Sequence, residues 1–142
     1  MKFSSSIEIN APTKTIWAAV NDPEKWSDWV PSIKKVEVIT KDPLGVGSRV
    51  RVTARAGITV KLLMTITEFI PEKCVIMEGK VLGARLIRSY IMEPLNHNTR
   101  FTASGEVSGL SAWLVRRGGQ ALSDEIVQAL KKKIEEQSIL SN

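Results

Sequence analysis

Ile7-Glu8-Ile9-Asn10-Ala11-Pro12 leads through Ile16-Trp17 and Asp22-Pro23 to Trp26-Ser27-Asp28-Trp29-Val30-Pro31, and the reading of this stretch decides the architecture. Phe3, Ile7 and Ile9 are available to one face of residues 2–10, the period-two pattern of a half-buried strand. Pro12 suits the first turn of a helix, where a missing N–H is not needed. Ile16, Trp17 and Val20 give that helix an apolar stripe. Asp22-Pro23 ends it, and Pro23 can begin the next short helix before two tryptophans close on Pro31. A strand followed at once by short helices implies a helical plug at one end of a curved sheet.

Working outward, residues 34–40 read as a second strand, with Val36 and Val38 set against Lys35 and Glu37. Asp42-Pro43-Leu44-Gly45-Val46-Gly47 has the turn chemistry of a hairpin connection. Strands follow at 48–56, 58–70, 74–82, 84–94 and 98–107, separated by Gly57, Pro71-Glu72-Lys73, Gly83 and Asn96-His97-Asn98. From about Leu110 to Glu136, Leu110, Trp113, Leu114, Leu122, Ile126, Leu130 and Ile134 recur at helical spacing. The class is α+β: a curved antiparallel sheet of about seven strands, two short helices after the first strand and one long C-terminal helix. One domain spans residues 1–142, with no linker or internal repeat. A sheet that keeps pairing neighbours twists and coils, and a helix across its concave side leaves a gap that is a natural ligand site.

Composition narrows the function classes. A chain of 142 residues, 43% hydrophobic and 25% charged, is ordinary for a globular protein that builds its own core. Cys74 is the single cysteine, so no intramolecular disulfide forms. No secretory signal and no apolar run of membrane-spanning length is read, which makes a cytoplasmic location the default expectation. The net charge of +5 invites a nucleic-acid reading. Its placement argues against one: Arg49, Arg51 and Arg55 alternate with Val50, Val52 and Ala54 as the solvent face of a strand. Lys131, Lys132 and Lys133 read as lying near a helix end, where cations complement the macrodipole.

The opening stretch resembles the start of the polyketide cyclase/dehydrase-like family of the START and birch-pollen-allergen (SRPBCC) superfamily. Pro43-Leu44-Gly45-Val46-Gly47-Ser48-Arg49-Val50 is similar to a hairpin of that family, and Ile66-Thr67-Glu68-Phe69-Ile70-Pro71 to one of its strand ends. Met92-Glu93-Pro94-Leu95 with Asn98-Thr99-Arg100-Phe101-Thr102 is similar to a further hairpin. The resemblance covers roughly residues 3–136 and implies a helix-grip fold whose members mostly bind hydrophobic or aromatic small molecules, some of them catalysing cyclisation or dehydration. The shared motifs are structural and carry over no catalytic residue.

Candidate site residues come from strand and helix parity. On 58–70, Val60, Leu62, Met64 and Ile66 share the face expected to meet the cavity. On 84–94, one face carries Leu86, Arg88, Tyr90 and Met92; the other carries Ile87, Ser89 and Ile91. Arg88 and Tyr90 on the inner face would orient a carboxylate, phenol or enolate, whereas the rarity of unpaired buried charge favours Ile87 and Ile91 inward. Glu78 is a general base if buried and a surface residue by default. Trp29 is placed at the cavity mouth; Trp113, Arg117 and Ala121 lie beside the main stripe of the long helix. Gly118-Gly119 inside that helix implies either a close approach to its backbone or a break that makes 110–117 a lid.

The ligand-binding set is therefore Trp29, Leu62, Met64, Arg88, Tyr90, Trp113, Arg117 and Ala121, with Tyr90, Arg88 and Glu78 the only catalytic candidates. His97, the single histidine, reads as an exposed turn residue, and Cys74 as a core or edge residue. Metal ligands are too few for a zinc site, and no cofactor is expected. The expected function is binding of a hydrophobic or aromatic small molecule, a lipid, polyketide or isoprenoid-like compound. A cyclase or dehydratase and a protein-interaction factor using the basic faces are the alternatives.

Overall fold

A computed structural model describes residues 1–40 and 43–141. Among them seven strands form one antiparallel sheet in the order β1-β7-β6-β5-β4-β3-β2. The strands are β1 (Lys2–Ile9), β2 (Ile33–Val38), β3 (Arg49–Ala56), β4 (Ile58–Ile70), β5 (Cys74–Val81), β6 (Ala84–Leu95) and β7 (Asn98–Ser108). Two short helices, α1 (Thr13–Val20) and α2 (Trp26–Trp29), follow β1, joined by one 3₁₀ turn at Pro23–Lys25; α3 (Ala112–Ser141) ends the chain. Pro12 stands at the N-cap of α1, one position before the helix, while Pro23 opens the 3₁₀ turn.

Each strand from β2 to β7 pairs with its sequence neighbour, and β7 closes back onto β1 with Phe3 opposite Gly105. Register shifts at Ile33/Lys35 and Ile66/Glu68 bend β2 and β4, because an extra residue in one strand of a pair locally increases its twist. The turn before β3 lies partly outside the described residues, at Asp42; Gly47 within it has φ 91°, a conformation that glycine adopts without strain.

The long helix rests on β1 and β7 and also covers the free edge of β1. Arg116 Nε donates to Lys2 O, Gln120 Nε2 to Ser4 O, and Lys131 Nζ to Glu8 O, at 3.0, 2.9 and 2.8 Å. Ser4 N and Asn10 N donate in return to Gln120 Oε1 and Glu135 Oε2. Those backbone groups alternate along β1, as an unpaired strand edge requires, and covering them removes a template for intermolecular pairing. Lys131 to Lys133 thus lie within α3 and not near its end, since the helix continues to Ser141. The helix is also continuous across Gly118 and Gly119, so no separate lid exists at 110–117.

The core runs from Ile9, Ile16 and Val30 through Met92, Phe101 and Val107 to Val127 and Leu130. The plug is fixed by Trp26, whose Nε1 donates to Ala19 O at 3.2 Å and whose ring meets Tyr90 edge-on with centroids 5.6 Å apart. Ser32 donates to Glu125 through both its N and its Oγ, at 3.0 and 2.9 Å, tying the plug to α3.

Candidate functional site

Between the concave sheet and α3 lies a cavity of about 700 Å³, within the size range of small-molecule sites. Its walls follow from strand parity, since alternate residues point to one face. Val52 and Ala54 of β3, Val60, Leu62 and Met64 of β4, Met77 and Val81 of β5, and Leu86, Arg88 and Tyr90 of β6 line it. Arg117, Gly118, Gly119, Ala121 and Leu122 supply the helical wall, and Phe3 and Trp26 also border it. Ile58 and Leu82, beside the β3–β4 and β5–β6 hairpins, and Leu114 of α3 are lining residues that are also exposed, which marks that end as the mouth.

The polar feature of the wall is Arg88, only 5% exposed. Its Nε donates to Tyr90 Oη at 3.2 Å and its Nη1 to Ser123 Oγ at 2.6 Å. Ser123 is free to accept because its own proton goes to Gly119 O, at 2.6 Å. The guanidinium carbon lies 5.4 Å from the Phe3 ring centroid and 5.2 Å from that of Tyr90, two aromatic faces that stabilise the cation. Nη2 is buried without a hydrogen-bond partner, and among the described residues no carboxylate forms an ion pair with Arg88. A buried ion without a counter-charge normally costs several kcal/mol, so this arrangement is an expensive one.

The structure brings Leu62, Met64, Arg88, Tyr90, Arg117 and Ala121 around one cavity. It places the other two proposed ligand contacts elsewhere. Trp29 borders a separate void of about 10 Å³ with Val20, Val30 and Ile126, and Trp26 takes the position facing the main cavity. Trp113 is 55% exposed, because Ala112 and Val115 occupy the inward face of the first turns of α3. The inward assignment of Ile87 and Ile91 is overturned: Ile91 is exposed, and Leu86, Arg88, Tyr90 and Met92 are buried. Aromatic and hydroxyl partners offset the burial of Arg88 in place of a carboxylate, a combination that strand parity does not reveal.

Glu78 does not line the cavity; it is held by Arg85, whose Nε reaches Glu78 Oε1 at 2.8 Å. His97 is exposed in the β6–β7 turn. Cys74 is half-buried at the start of β5, and burial, followed by the nearby Glu68 charge, pushes its thiol pKa up. The sequence marks Phe3 only as a strand-face residue and does not mark Met77 or Ser123 as site residues. Met77 was findable, since it shares parity with Val75 and Val81; nothing local marks a serine in a long helix as the partner of a distant arginine. Among the described residues no group of three His, Cys, Asp or Glu is arranged to hold a metal, and no helix is long and apolar enough to cross a membrane.

Solved structures of the same shape include an aromatase/cyclase from Streptomyces, with a TM-score of 0.84 at 12% identity over 97% of this chain and 95% of that one. A START superfamily protein from Mycobacterium smegmatis gives 0.80 at 16% identity, over 96% and 98% of the two chains. A protein from Thermus thermophilus gives 0.80 at 19% identity, over 97% and 99%. No curated protein sequence matches the chain significantly. Identities this low establish the helix-grip fold alone. The family model described as polyketide cyclase / dehydrase and lipid transport, however, matches residues 1–135, the stretch that builds the sheet, the plug and most of α3. With its sheet curled around a cavity under a long helix, the chain belongs to that family.

Proposed function

We propose that this protein binds a hydrophobic or aromatic small molecule in the cavity between sheet and α3. The observation that carries the reading is the apolar lining of a 700 Å³ space that opens at one end through Ile58, Leu82 and Leu114. Removing a ligand's apolar surface from water contributes about 25 cal/mol per Å², before the entropy of association is subtracted. Catalysis is the second reading, and the Arg88–Tyr90 pair is its basis. Among the described residues, the titratable lining side chains are Arg88, Tyr90 and Arg117, with no carboxylate or imidazole in the lining. General base chemistry near neutral pH calls for such a group, so the lining favours binding.

Native mass spectrometry of the purified protein, before and after exposure to a lipid and aromatic-metabolite extract, tests the proposal. A discrete adduct released by denaturation is expected. A protein that stays bare throughout would overturn it.

A further inference from the structure

The polar corner at the inner end of the cavity holds hydrogen-bond donors that no side-chain acceptor matches among the described residues. Arg88 Nη2 has no partner, and the Tyr90 hydroxyl accepts from Arg88 Nε, which leaves its own proton to donate. Ser123 Oγ is already engaged, giving its proton to Gly119 O while accepting from Arg88 Nη1. The remaining polar atom near the plug, Trp26 Nε1, is committed to Ala19 O. Among the described residues, none supplies the acceptor missing from this corner.

From this we infer that the ligand carries one oxyanion, a carboxylate head on an apolar body, and enters head first to meet Arg88 and Tyr90. The inference rests on the ligand-binding reading above and adds the chemical class. Arg88 lies four residues beyond Ala84, which is about 13 Å along the strand from the mouth. A head held there places the body among Leu62, Met64, Met77 and Leu86, whose side chains offer no hydrogen-bond donors. Charge chooses the head: a cation with no counter-ion among the described residues gains more from an anion than from a neutral hydroxyl. Nη2 is covered in the present arrangement, so a small turn of the guanidinium away from Phe3 accompanies binding.

Matched probes separate head from body. Isothermal titration calorimetry with dodecanoate and dodecan-1-ol, and with 2-naphthoate and 2-naphthol, is run near pH 7.5 below micellar concentrations. The carboxylate of at least one pair is expected to bind about tenfold or more tightly than its alcohol, the ratio a charge-assisted hydrogen bond supplies. Arg88→Met is expected to collapse that ratio to near one, and Tyr90→Phe to reduce it partially; thermal melts of both variants confirm folding. Should Arg88→Met fail to fold, the wild-type ratio and Tyr90→Phe still decide. Equal affinity for acid and alcohol overturns the head-group inference and leaves the cavity reading standing. Failure of every probe to bind the folded protein overturns both.

Discussion

The ring of Phe3 lies against the backbone of Gly119, so close that a Cβ on that glycine would stand 2.6 Å from ring Cζ. Gly105, opposite Phe3 on β7, closes on the same ring from the sheet side, and Arg88 lies over its face. The glycine in the interior of α3 is therefore a packing device, letting the helix descend onto an aromatic side chain of the edge strand. Alanine at Gly119 gains about 1 kcal/mol in helix propensity, yet forces the Phe3 ring out of its seat between Gly119, Gly105 and the Arg88 guanidinium, at about 1–3 kcal/mol. We expect Gly119→Ala to be net destabilising in urea denaturation. Phe3→Leu in the same chain should recover part of the loss, since contacting sites are not additive. A more stable Gly119→Ala protein would mean that the ring moves freely.

The tie between plug and helix gives a second prediction. Glu125 accepts both hydrogen bonds from Ser32 and is half-buried at that junction. Glu125→Ala leaves the Ser32 N–H and hydroxyl without that acceptor, and we expect a loss of about 1–3 kcal/mol in thermal or chemical unfolding. Glu125→Gln keeps one acceptor oxygen and should fall between the two. An alanine variant as stable as the parent would show that water replaces the carboxylate at no cost.

How far the fold was legible follows from the range of each signal. Strand β4 is bounded by Ile58 and Ile70 as its alternation implies, because Gly57 and Pro71 flank the pattern on either side. The periodicity puts the far end of α3 at Glu136, too short, since the apolar spacing breaks after Ile134 at Glu135-Glu136-Gln137-Ser138 while the helix continues to Ser141. Part of the cavity wall is readable for the same reason: Leu62, Met64 and Tyr90 follow from period two. Arg88 was the difficult residue. Its burial depends on Phe3, Ser123 and Tyr90, and two of those partners lie on distant segments whose contact no local pattern encodes. Trp29 and Trp113 lie off the cavity wall, and a tryptophan's apolar area says that it packs and not which space it faces.

Cys74 offers a chemical readout of its surroundings. Burial raises its thiol pKa first, Glu68 adds to the rise, and Lys73 opposes it. The thiolate is the reactive form, so alkylation by iodoacetamide near pH 7.5 should be slower in the folded protein than in urea. Glu68→Gln removes the carboxylate's contribution and should speed the reaction modestly. Equal rates in folded and unfolded protein would contradict this account.

Acid stability carries a small signature at the β1 edge. Glu135 accepts from Lys131 Nζ at 2.7 Å and from Asn10 N, which hold its carboxyl pKa below the ordinary value of about 4.3, the lysine bond acting most. A depressed folded pKa contributes stability that is fully present above the unfolded value and is lost as pH falls through the folded one. Unfolding free energy should therefore decline below about pH 4.3, and Glu135→Gln should flatten part of that slope, its cost being present at pH 7 and vanishing in acid. The Glu135 side chain is partly exposed, so solvent screening keeps the contribution small. A variant with an unchanged acid limb would sink the assignment.

Filling the cavity gives the most direct link from packing to function. Met77 is buried at mid-sheet on β5 with its side chain on the cavity wall, so added volume there extends into open space. Overpacking a filled core costs about 1–3 kcal/mol, whereas Met77→Trp enters a 700 Å³ space and should alter stability by less than about 1 kcal/mol. The same substitution takes room from the ligand, so adducts seen by native mass spectrometry on the parent should weaken or shift to smaller species. Loss of adduct with an unchanged melting temperature locates binding between sheet and helix. An unchanged adduct pattern on a folded Met77→Trp protein would place the ligand outside the cavity and end the proposal that this space is the binding site.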